Sequence, residues 1–224
     1  MPLVNIMLRE LDRLVWVLAP HVPFSALNTL LRTLDSEGRS ILDVGCGPGG
    51  PMRFINRGKT YFAIGADIYR PYLELGKQAG LYDILVLCDL RQLPFRSKVV
   101  DIVTCLQTLE HFEREDGLSL IGEMERIARR QVIITTPVGG WQQPPSDTNP
   151  HDEHKCIWGP SELKKLGYTV RGVGFRGFGG STGLIQRIPR WTMALAYLGW
   201  ILVGPFAYYK PAIAGSVVCS KRLL

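Results

Sequence analysis

Three aspartates, Asp43, Asp67 and Asp89, each stand at the end of a short apolar run that is typical of a buried strand. The carboxyl ends of parallel strands meet at one edge of a sheet, where open α/β sheets bind their ligands. Carboxylates there accept hydrogen bonds from hydroxyl and amino groups and attract cations. Each aspartate could instead cap a helix, but that explanation suits any one of them better than all three. The spacing therefore predicts one ligand with several polar groups.

The stretch 40–51 joins the first of these runs to a cluster of glycines. They are Gly45, Gly47, Gly49 and Gly50. Glycines let the backbone turn tightly and let a ligand approach its N–H groups, so a strand that breaks into glycines before a helix predicts a nucleotide-binding turn. With Asp67 about 20 residues further on, the glycines also fit a dinucleotide fingerprint. An NAD-dependent oxidoreductase is therefore one candidate.

Strand and helix patterns alternate along the chain around these residues. The apolar runs that predict strands are 41–44, 61–66, 84–88, 99–105, 131–136, 168–175 and 216–220. The patterns that predict helices are 4–18, 25–33, 51–56, 69–79, 117–130 and 160–166. Such alternation predicts a parallel sheet with helices on both faces. The strands are almost continuously apolar, as strands covered on both sides must be.

The composition indicates a cytoplasmic globular protein whose charge is unevenly divided. The 224 residues suit a single domain, and 5 scattered cysteines, an odd number, indicate reduced core residues rather than disulfides or a zinc site. Charged residues interrupt the apolar start, so no cleavable signal is expected.

The charge is unevenly divided along the chain. Residues 1–154 carry 16 basic and 19 acidic side chains, whereas residues 155–224 carry 10 basic side chains and a single acidic one, Glu162. The basic end is expected to face an anionic partner or solvent.

Four segments in order resemble class I S-adenosylmethionine-dependent methyltransferases, in particular the type 11 small-molecule group. They are L-D-V-G-C-G-P-G-G, A-I-G-A-D-I, C-D-L-R-Q-L-P-F and V-D-I-V-T-C-L-Q-T-L-E-H-F. The resemblance covers roughly residues 38–177 and resumes at the last strand. It implies a three-layer α/β/α Rossmann-like methyltransferase sheet that is mostly parallel with an antiparallel last strand. A nicotinamide enzyme requires neither the second aspartate nor the L-E-H segment, so the methyltransferase is favoured.

The resemblance also implies S-adenosylmethionine as the cofactor. Asp67 would bind the ribose hydroxyls, Asp89 would meet the adenine amino group, and Asp43 would orient the glycine turn or hold a cationic group of the ligand. The full set of expected cofactor-binding residues is Asp43, Gly45, Cys46, Gly47, Gly49, Asp67, Ile68, Asp89, Leu90 and Gln107.

Methyl transfer from a sulfonium needs an acceptor held in line with the methyl group, and positioning supplies most of the rate. A base is needed only where the acceptor must lose a proton. The candidate bases are His111, after the fourth strand, and His151 and His154, in the long loop 137–160. We take His111 and His154 as the candidate catalytic residues.

Glu110, His111 and His154 also resemble a metal site in two methyltransferase groups. These are the ubiquinone-pathway O-methyltransferases and the small-RNA 3′-end ribose methyltransferases, whose segment E-x-x-E-H corresponds to Q-T-L-E-H here. Gln107 replaces the first carboxylate, and a neutral amide is a weaker ligand for a hard cation. We therefore predict no metal; if one binds, these three residues are its ligands.

One domain is expected, divided into a helical extension (1–37), a cofactor-binding core (38–183) and an apolar insertion (184–211). Between Arg190 and Lys210, 19 residues carry no charge. Glycines and a proline weaken a continuous helix there, and the strands on either side should pair in one sheet, so spanning a membrane is not expected. The segment packs on its own domain or on a partner in a homodimer, or it lies on an anionic membrane surface.

The sequence thus predicts a methyltransferase that acts on a small-molecule or lipid-like acceptor, in the cytoplasm or at the inner face of the membrane. A metal-assisted RNA ribose 2′-O-methyltransferase is the second candidate; it is favoured by H-D-E-H-K and the basic end, and disfavoured by Gln107 and the apolar segment. A nucleic-acid partner is therefore not expected. An NAD-dependent oxidoreductase and a non-catalytic cofactor-binding module complete the alternatives.

Overall fold

The computed structural model describes residues 19–138, 149–176 and 202–223. The predicted helix 4–18, the middle of the loop 137–160 and most of the apolar insertion 184–211 lie outside the described residues. Within them, no helix has the length and apolar character that crossing a bilayer requires.

Seven strands of the described residues form one sheet. They are β1 (Ser40–Val44), β2 (Phe62–Asp67), β3 (Ile84–Leu87), β4 (Val100–Leu106), β5 (Ala128–Pro137), β6 (Thr169–Val173) and β7 (Ser216–Arg222). Their order across the sheet is β3-β2-β1-β4-β5-β7-β6. The first five strands pair in parallel, and β7 pairs antiparallel with both β5 and β6. The predicted fold class is confirmed.

Helices cover the sheet on both sides. They are α1 (Ala26–Thr33), α2 (Met52–Ile55), α3 (Arg70–Gln78), α4 (Arg114–Ile127), α5 (Pro160–Lys165) and α6 (202–209). Short 3-10 turns occupy Ala19–His21, Leu109–His111 and Pro211–Ile213.

The predicted boundary between α4 and β5 is wrong, because strand pairing overrides helix propensity there; α4 also begins at Arg114, three residues before the predicted start at 117. The helix ends at Ile127, three residues before the predicted end at Arg130. Ala128 instead pairs with Val100 of β4, and the backbone N–H of Val99 donates to the Ile127 carbonyl at 3.0 Å. The sheet thus captures residues whose types alone favour a helix.

Alternate residues of the central strands enter two separate clusters of buried side chains. Leu42 and Val44 of β1 pack on one face with α4 and Trp158, whereas Ile41 packs on the other face with Leu30 of α1. Both faces are therefore buried, which explains why the strands are almost continuously apolar. The parallel strands end at one common edge, and the candidate site lies there.

Candidate active site

The glycine turn after β1 is held close to its neighbours. The backbone N–H groups of Gly45 and Cys46 both donate to the Ala66 carbonyl, at 2.8 and 3.1 Å. Gly45 has φ +70°, and a Cβ there would overlap the side chain of Thr108, which follows β4. Both the backbone angle and the close approach thus require glycine at this position.

Asp67 ties β2 to this turn. One carboxylate oxygen accepts the backbone N–H of Gly47 at 2.8 Å, and the other accepts that of Tyr69 at 2.8 Å. Burial raises the pKa of Asp67, while the two backbone donors act in the opposite direction. The side chain is only 7% exposed but lines the cavity at the sheet edge. Each oxygen retains lone pairs for a ligand hydroxyl.

Asp43 lies behind the turn and does not line the cavity. Its two carboxylate oxygens accept hydrogen bonds from the Tyr82 hydroxyl and the Thr104 hydroxyl, both at 2.8 Å. Burial raises the pKa of Asp43 to about 6, and these two hydrogen bonds oppose the rise. Of the two roles considered for Asp43, the geometry favours orientation of the turn over direct contact with a ligand. Gly49, another expected contact, also lies outside the cavity lining, against Leu81 and Tyr82.

Asp89 lines the cavity together with Leu90 and Arg91. The guanidinium of Arg91 holds both carboxylate oxygens of Asp89, at 2.6 to 3.1 Å, and keeps the pKa of Asp89 below its ordinary value. This ion pair is well exposed. Exposed pairs contribute only about 0–1 kcal/mol, so a ligand can displace Arg91 from Asp89 at little cost.

These residues surround a cavity of about 580 Å³. The lining includes the candidate base His111 and these expected cofactor contacts: Gly45, Cys46, Gly47, Asp67, Ile68, Asp89, Leu90 and Gln107. It also includes residues that the sequence did not single out: Tyr72, Arg91, Thr108, Asn149, Asp152 and Lys155. No local pattern identifies Tyr72 or Asn149, because they meet only in the folded chain, at Asp152, which accepts a hydrogen bond from each.

Gln107 occupies a strained position at the end of β4. Its φ of +55° is unusual for a residue with a side chain. The backbone N–H donates to the Thr135 carbonyl at 2.8 Å, and the side-chain amide donates to the Thr135 hydroxyl at 3.2 Å. Strand β5 thereby fixes Gln107 in the cavity wall.

Glu110, His111 and His154 come together as the sequence suggested, with one ligand atom from each within 4.8 Å of the others. Glu110 is 1% exposed; one carboxylate oxygen accepts the Thr136 hydroxyl at 3.1 Å, and the other has no hydrogen-bond partner within the described part of the chain. Burial raises the pKa of Glu110 to about 7. The unpartnered carboxylate oxygen of Glu110 and the two imidazoles form a donor set of three that fits a divalent cation.

His111 is the member of this cluster that lines the cavity. Its Nδ1 lies 2.9 Å from the Glu153 carbonyl, which can only accept, and this contact favours the tautomer with the proton on Nδ1 and the lone pair on Nε2. Burial lowers the pKa of His111. His154 lies outside the cavity lining and packs edge-to-face against His111 at 4.9 Å between ring centroids.

The segment 149–155 covers the cavity from the β5 side. Asp152 accepts hydrogen bonds from the Asn149 amide at 2.7 Å and from the Tyr72 hydroxyl of α3 at 3.3 Å. This arrangement brings His151, a third candidate base, into the cavity wall. The cavity therefore lies between α3 and a loop that follows β5.

Residues 42–135 match the sequence model of a family described as methyltransferase domain. The Probable tRNA methyltransferase 9B of Mus musculus is 28% identical over 91 residues, which cover 40% of this chain and 19% of the relative. Methyltransferase GfsG of Streptomyces halstedii is 30% identical over 100 residues, 42% of this chain and 35% of the relative. The chain thus spans between about a sixth and a half of the length of curated relatives that it matches.

A solved structure with the same fold is a Haloferax volcanii methyltransferase in complex with the Trm112 methyltransferase activator. It has a TM-score of 0.59 at 16% identity and covers 93% of this chain and 91% of that one. That likeness supports the fold, and the motifs and the family match support the class. The prediction from the four motifs is confirmed at the level of the domain, together with its cofactor: the chain carries a class I S-adenosylmethionine-dependent methyltransferase domain.

Proposed function

We propose that this chain transfers a methyl group from S-adenosylmethionine to a small-molecule or lipid-like acceptor. The observation that carries the proposal is the position of Asp67 and Asp89, at successive strand ends on one cavity with the glycine turn between β1 and α2. A ribose diol, an adenine amino group and a charged amino-acid end suit those three features. A cavity of this size is within the ordinary range for such a ligand.

The chain's own residues have separate roles in holding the cofactor. Asp67 accepts the ribose hydroxyls with the lone pairs that its backbone donors leave unused, and Asp89 exchanges Arg91 for the adenine amino group. Asp43 keeps the glycine turn in place through Tyr82 and Thr104. When bound, the cofactor supplies an electrophilic methyl group on a sulfonium.

His111 is the proposed base. The Glu153 carbonyl favours the proton on Nδ1, and burial lowers the pKa of His111, which favours the neutral imidazole with its lone pair on Nε2. A neutral imidazole in the cavity wall removes the proton of an acceptor hydroxyl, phenol or amine as the methyl group is transferred. His154, which packs against it, orients the ring.

Isothermal titration calorimetry tests the cofactor assignment. We expect binding of S-adenosylmethionine in the micromolar range and severe weakening in Asp67→Ala, because the ribose hydroxyls and two backbone donors lose their acceptor. Asp83→Ala is the matched control, since Asp83 also accepts a backbone N–H, at 2.8 Å, but does not line the cavity. Binding of NAD with none of S-adenosylmethionine would contradict the proposal. Turnover of any acceptor would exclude a non-catalytic module.

A metal-assisted RNA ribose methyltransferase is the second candidate, and the cluster of Glu110, His111 and His154 favours it. Those three side chains would hold the cation, which would draw an acceptor hydroxyl toward ionisation. Gln107 still counts against it, because an amide stands where a further carboxylate would strengthen the site. We therefore expect turnover to survive a chelator. Complete loss of turnover in the chelator, with recovery on addition of magnesium or manganese, would instead support the second candidate.

A further inference from the structure

The outer side of α6 and the following 3-10 turn carry an exposed apolar face. Its members are Leu202, Val203, Phe206, Tyr209 and Ile213, and we call them the α6 face. Leu202 is 75% exposed, Phe206 62% and Tyr209 68%, values that are high for side chains of this size. The helical residues recur at spacings of one, four and seven, so they lie along one side of the helix.

The inner side of α6 is anchored to the sheet. Ala207 is fully buried, and its carbonyl approaches Gly172 of β6 so closely that a Cβ at Gly172 would overlap it. The Tyr208 ring packs edge-to-face on Phe24 at 5.4 Å, and the Arg171 guanidinium lies 5.1 Å from the Tyr208 ring centroid. Helix α6 therefore cannot turn its exposed side inward without losing these contacts.

Basic side chains border the α6 face. Lys210 follows α6 directly and is exposed, and Arg176 is exposed beside Ile213, whose carbonyl accepts the Arg176 backbone N–H at 3.3 Å. Beyond Glu162 the sequence contains no acidic residue. An apolar surface bordered by cations matches a partner that combines hydrocarbon with negative charge.

The α6 face reaches the edge of the sheet that carries the cavity. Val173 at the end of β6 pairs with Ser216 at the start of β7, and Ser216 also pairs with Pro137 at the end of β5. Ile213 and Arg176 lie just beyond these residues, so they share the carboxyl edge with the ends of β1, β2 and β4. Strand β6 is three positions from β4, a distance of about 14 Å at the usual strand spacing.

We propose that the α6 face binds an anionic membrane surface and holds the cavity beside it. A second copy of the chain is a less suitable partner for this face. A symmetric dimer would bring Lys210 and Arg176 close to the same basic residues of the other copy, and these like charges would repel. The 11 residues 191–201, which directly precede the face in the sequence, carry no charge. This inference deepens the proposed function and rests on it for one point: a lipid-like acceptor would reach the cavity from the membrane.

Vesicle flotation tests the inference with the full chain. Phosphatidylcholine vesicles with and without phosphatidylglycerol are the probes. We expect the protein to float with the anionic vesicles and not with the neutral ones, and high salt to release only part of it, because apolar insertion is insensitive to salt. Wild-type protein that ignores both kinds of vesicle would overturn the proposal.

Variants separate the apolar contribution from the charged one. Leu202→Asp with Phe206→Asp should lower binding to anionic vesicles by about tenfold or more, and Lys210→Gln by about fivefold. Leu118→Asp on α4 is the matched control, since Leu118 is an apolar side chain that is 41% exposed elsewhere on the surface. Equal loss of binding in the control would overturn the assignment to the α6 face.

Two further readouts make the outcomes distinguishable. The affinity for S-adenosylmethionine, measured by calorimetry, should be unchanged in all these variants. A wild-type protein that floats with anionic vesicles but does not bind the cofactor would contradict the proposed function and still support the membrane surface. Light scattering gives the oligomeric state without lipid. A wild-type dimer that the double aspartate variant splits would assign the α6 face to a subunit interface and overturn the membrane proposal.

Discussion

At the scale of single residues, Gly45 lies where the turn after β1 packs against Thr108, which follows β4. It needs a positive φ, and the Thr108 side chain occupies the space where a Cβ would stand. We expect Gly45→Ala to lower stability by about 2–4 kcal/mol and to abolish cofactor binding, because both strain and overlap act there.

Gly80→Ala is the matched control for that change. Gly80 has a similar φ of +62°, but no atom lies within 4 Å of the position its Cβ would take. Strain alone should cost about 1–2 kcal/mol there. Urea unfolding of both variants, with calorimetry, provides the comparison; equal losses would show that contact with Thr108 is unimportant.

Asp43 should make stability depend on pH. Its pKa is about 6 in the folded protein against a reference value of 3.8, so the folded state binds more protons than the unfolded state between those values. The associated stability is present below about pH 4 and is lost as the pH rises through about 6, and the difference is about 3 kcal/mol.

Asp43→Asn removes that dependence while keeping the shape of the side chain. Urea unfolding at pH 5 and pH 8 should show wild type losing more stability than the variant over this interval. A variant whose stability falls as steeply as that of wild type would show that another group titrates.

The sequence located Asp67 and Asp89 because each follows a strand in a recognisable segment. It could not show that Asp43 faces Tyr82 and Thr104 rather than the ligand, since those partners come from distant parts of the chain. The pairing of Arg91 with Asp89 could not be predicted either, because two charged residues separated by Leu90 have no fixed geometry until the loop folds.

At the scale of elements, Trp158 fastens the loop beyond β5 to the turn that carries His111. The ring is fully buried, its Nε1–H donates to the Leu109 carbonyl at 3.2 Å, and the Arg114 guanidinium lies 4.7 Å from the ring centroid. Gly117 of α4 provides the space, because a Cβ there would overlap the ring. One indole thus links three elements.

Trp158→Phe should cost about 2–3 kcal/mol, because the Leu109 carbonyl loses its donor and the smaller ring leaves a void. Turnover should fall further than cofactor binding, since His111 lies in the turn that is released. Tyr168→Phe, which removes the 3.0 Å hydrogen bond to Glu125 away from the cavity, is the control. Unaltered turnover in Trp158→Phe would show that the contact between Trp158 and the turn 109–111 does not affect catalysis.

The presence of each strand was easier to predict than its limits. Strands β1, β4 and β5 are buried on both faces, which favours a continuous apolar composition, whereas the edge strands β3 and β6 keep exposed residues. The limit between α4 and β5 depends on the pairing of Ala128 with Val100, a contact between residues 28 positions apart. The 3-10 turn Leu109–His111 has no periodic signal of its own.

At the scale of the whole molecule, the cofactor should stabilise the fold by mass action. The cavity wall combines the ends of β1, β2 and β4 with the loop beyond β5, so a ligand there binds only the folded state. Cofactor at 100 times its dissociation constant should add about 2.7 kcal/mol, a rise in melting temperature of roughly 5–10 °C. Differential scanning calorimetry should show this with S-adenosylmethionine and no shift with NAD; an unchanged melting temperature at that excess would contradict the predicted cavity occupancy.

The position of the antiparallel strand β7 affects how the sheet can form while the chain is being synthesised. It lies between β5 and β6, although β6 ends at Val173 and β7 begins only at Ser216. During synthesis on the ribosome, β5 therefore presents an unpaired edge with the run Ile133–Ile134 until β7 emerges, and β6 has no place in the sheet to occupy. Nascent chains stalled before Ser216 should be more sensitive to protease and to aggregation than chains stalled after the whole of β7 has left the exit tunnel.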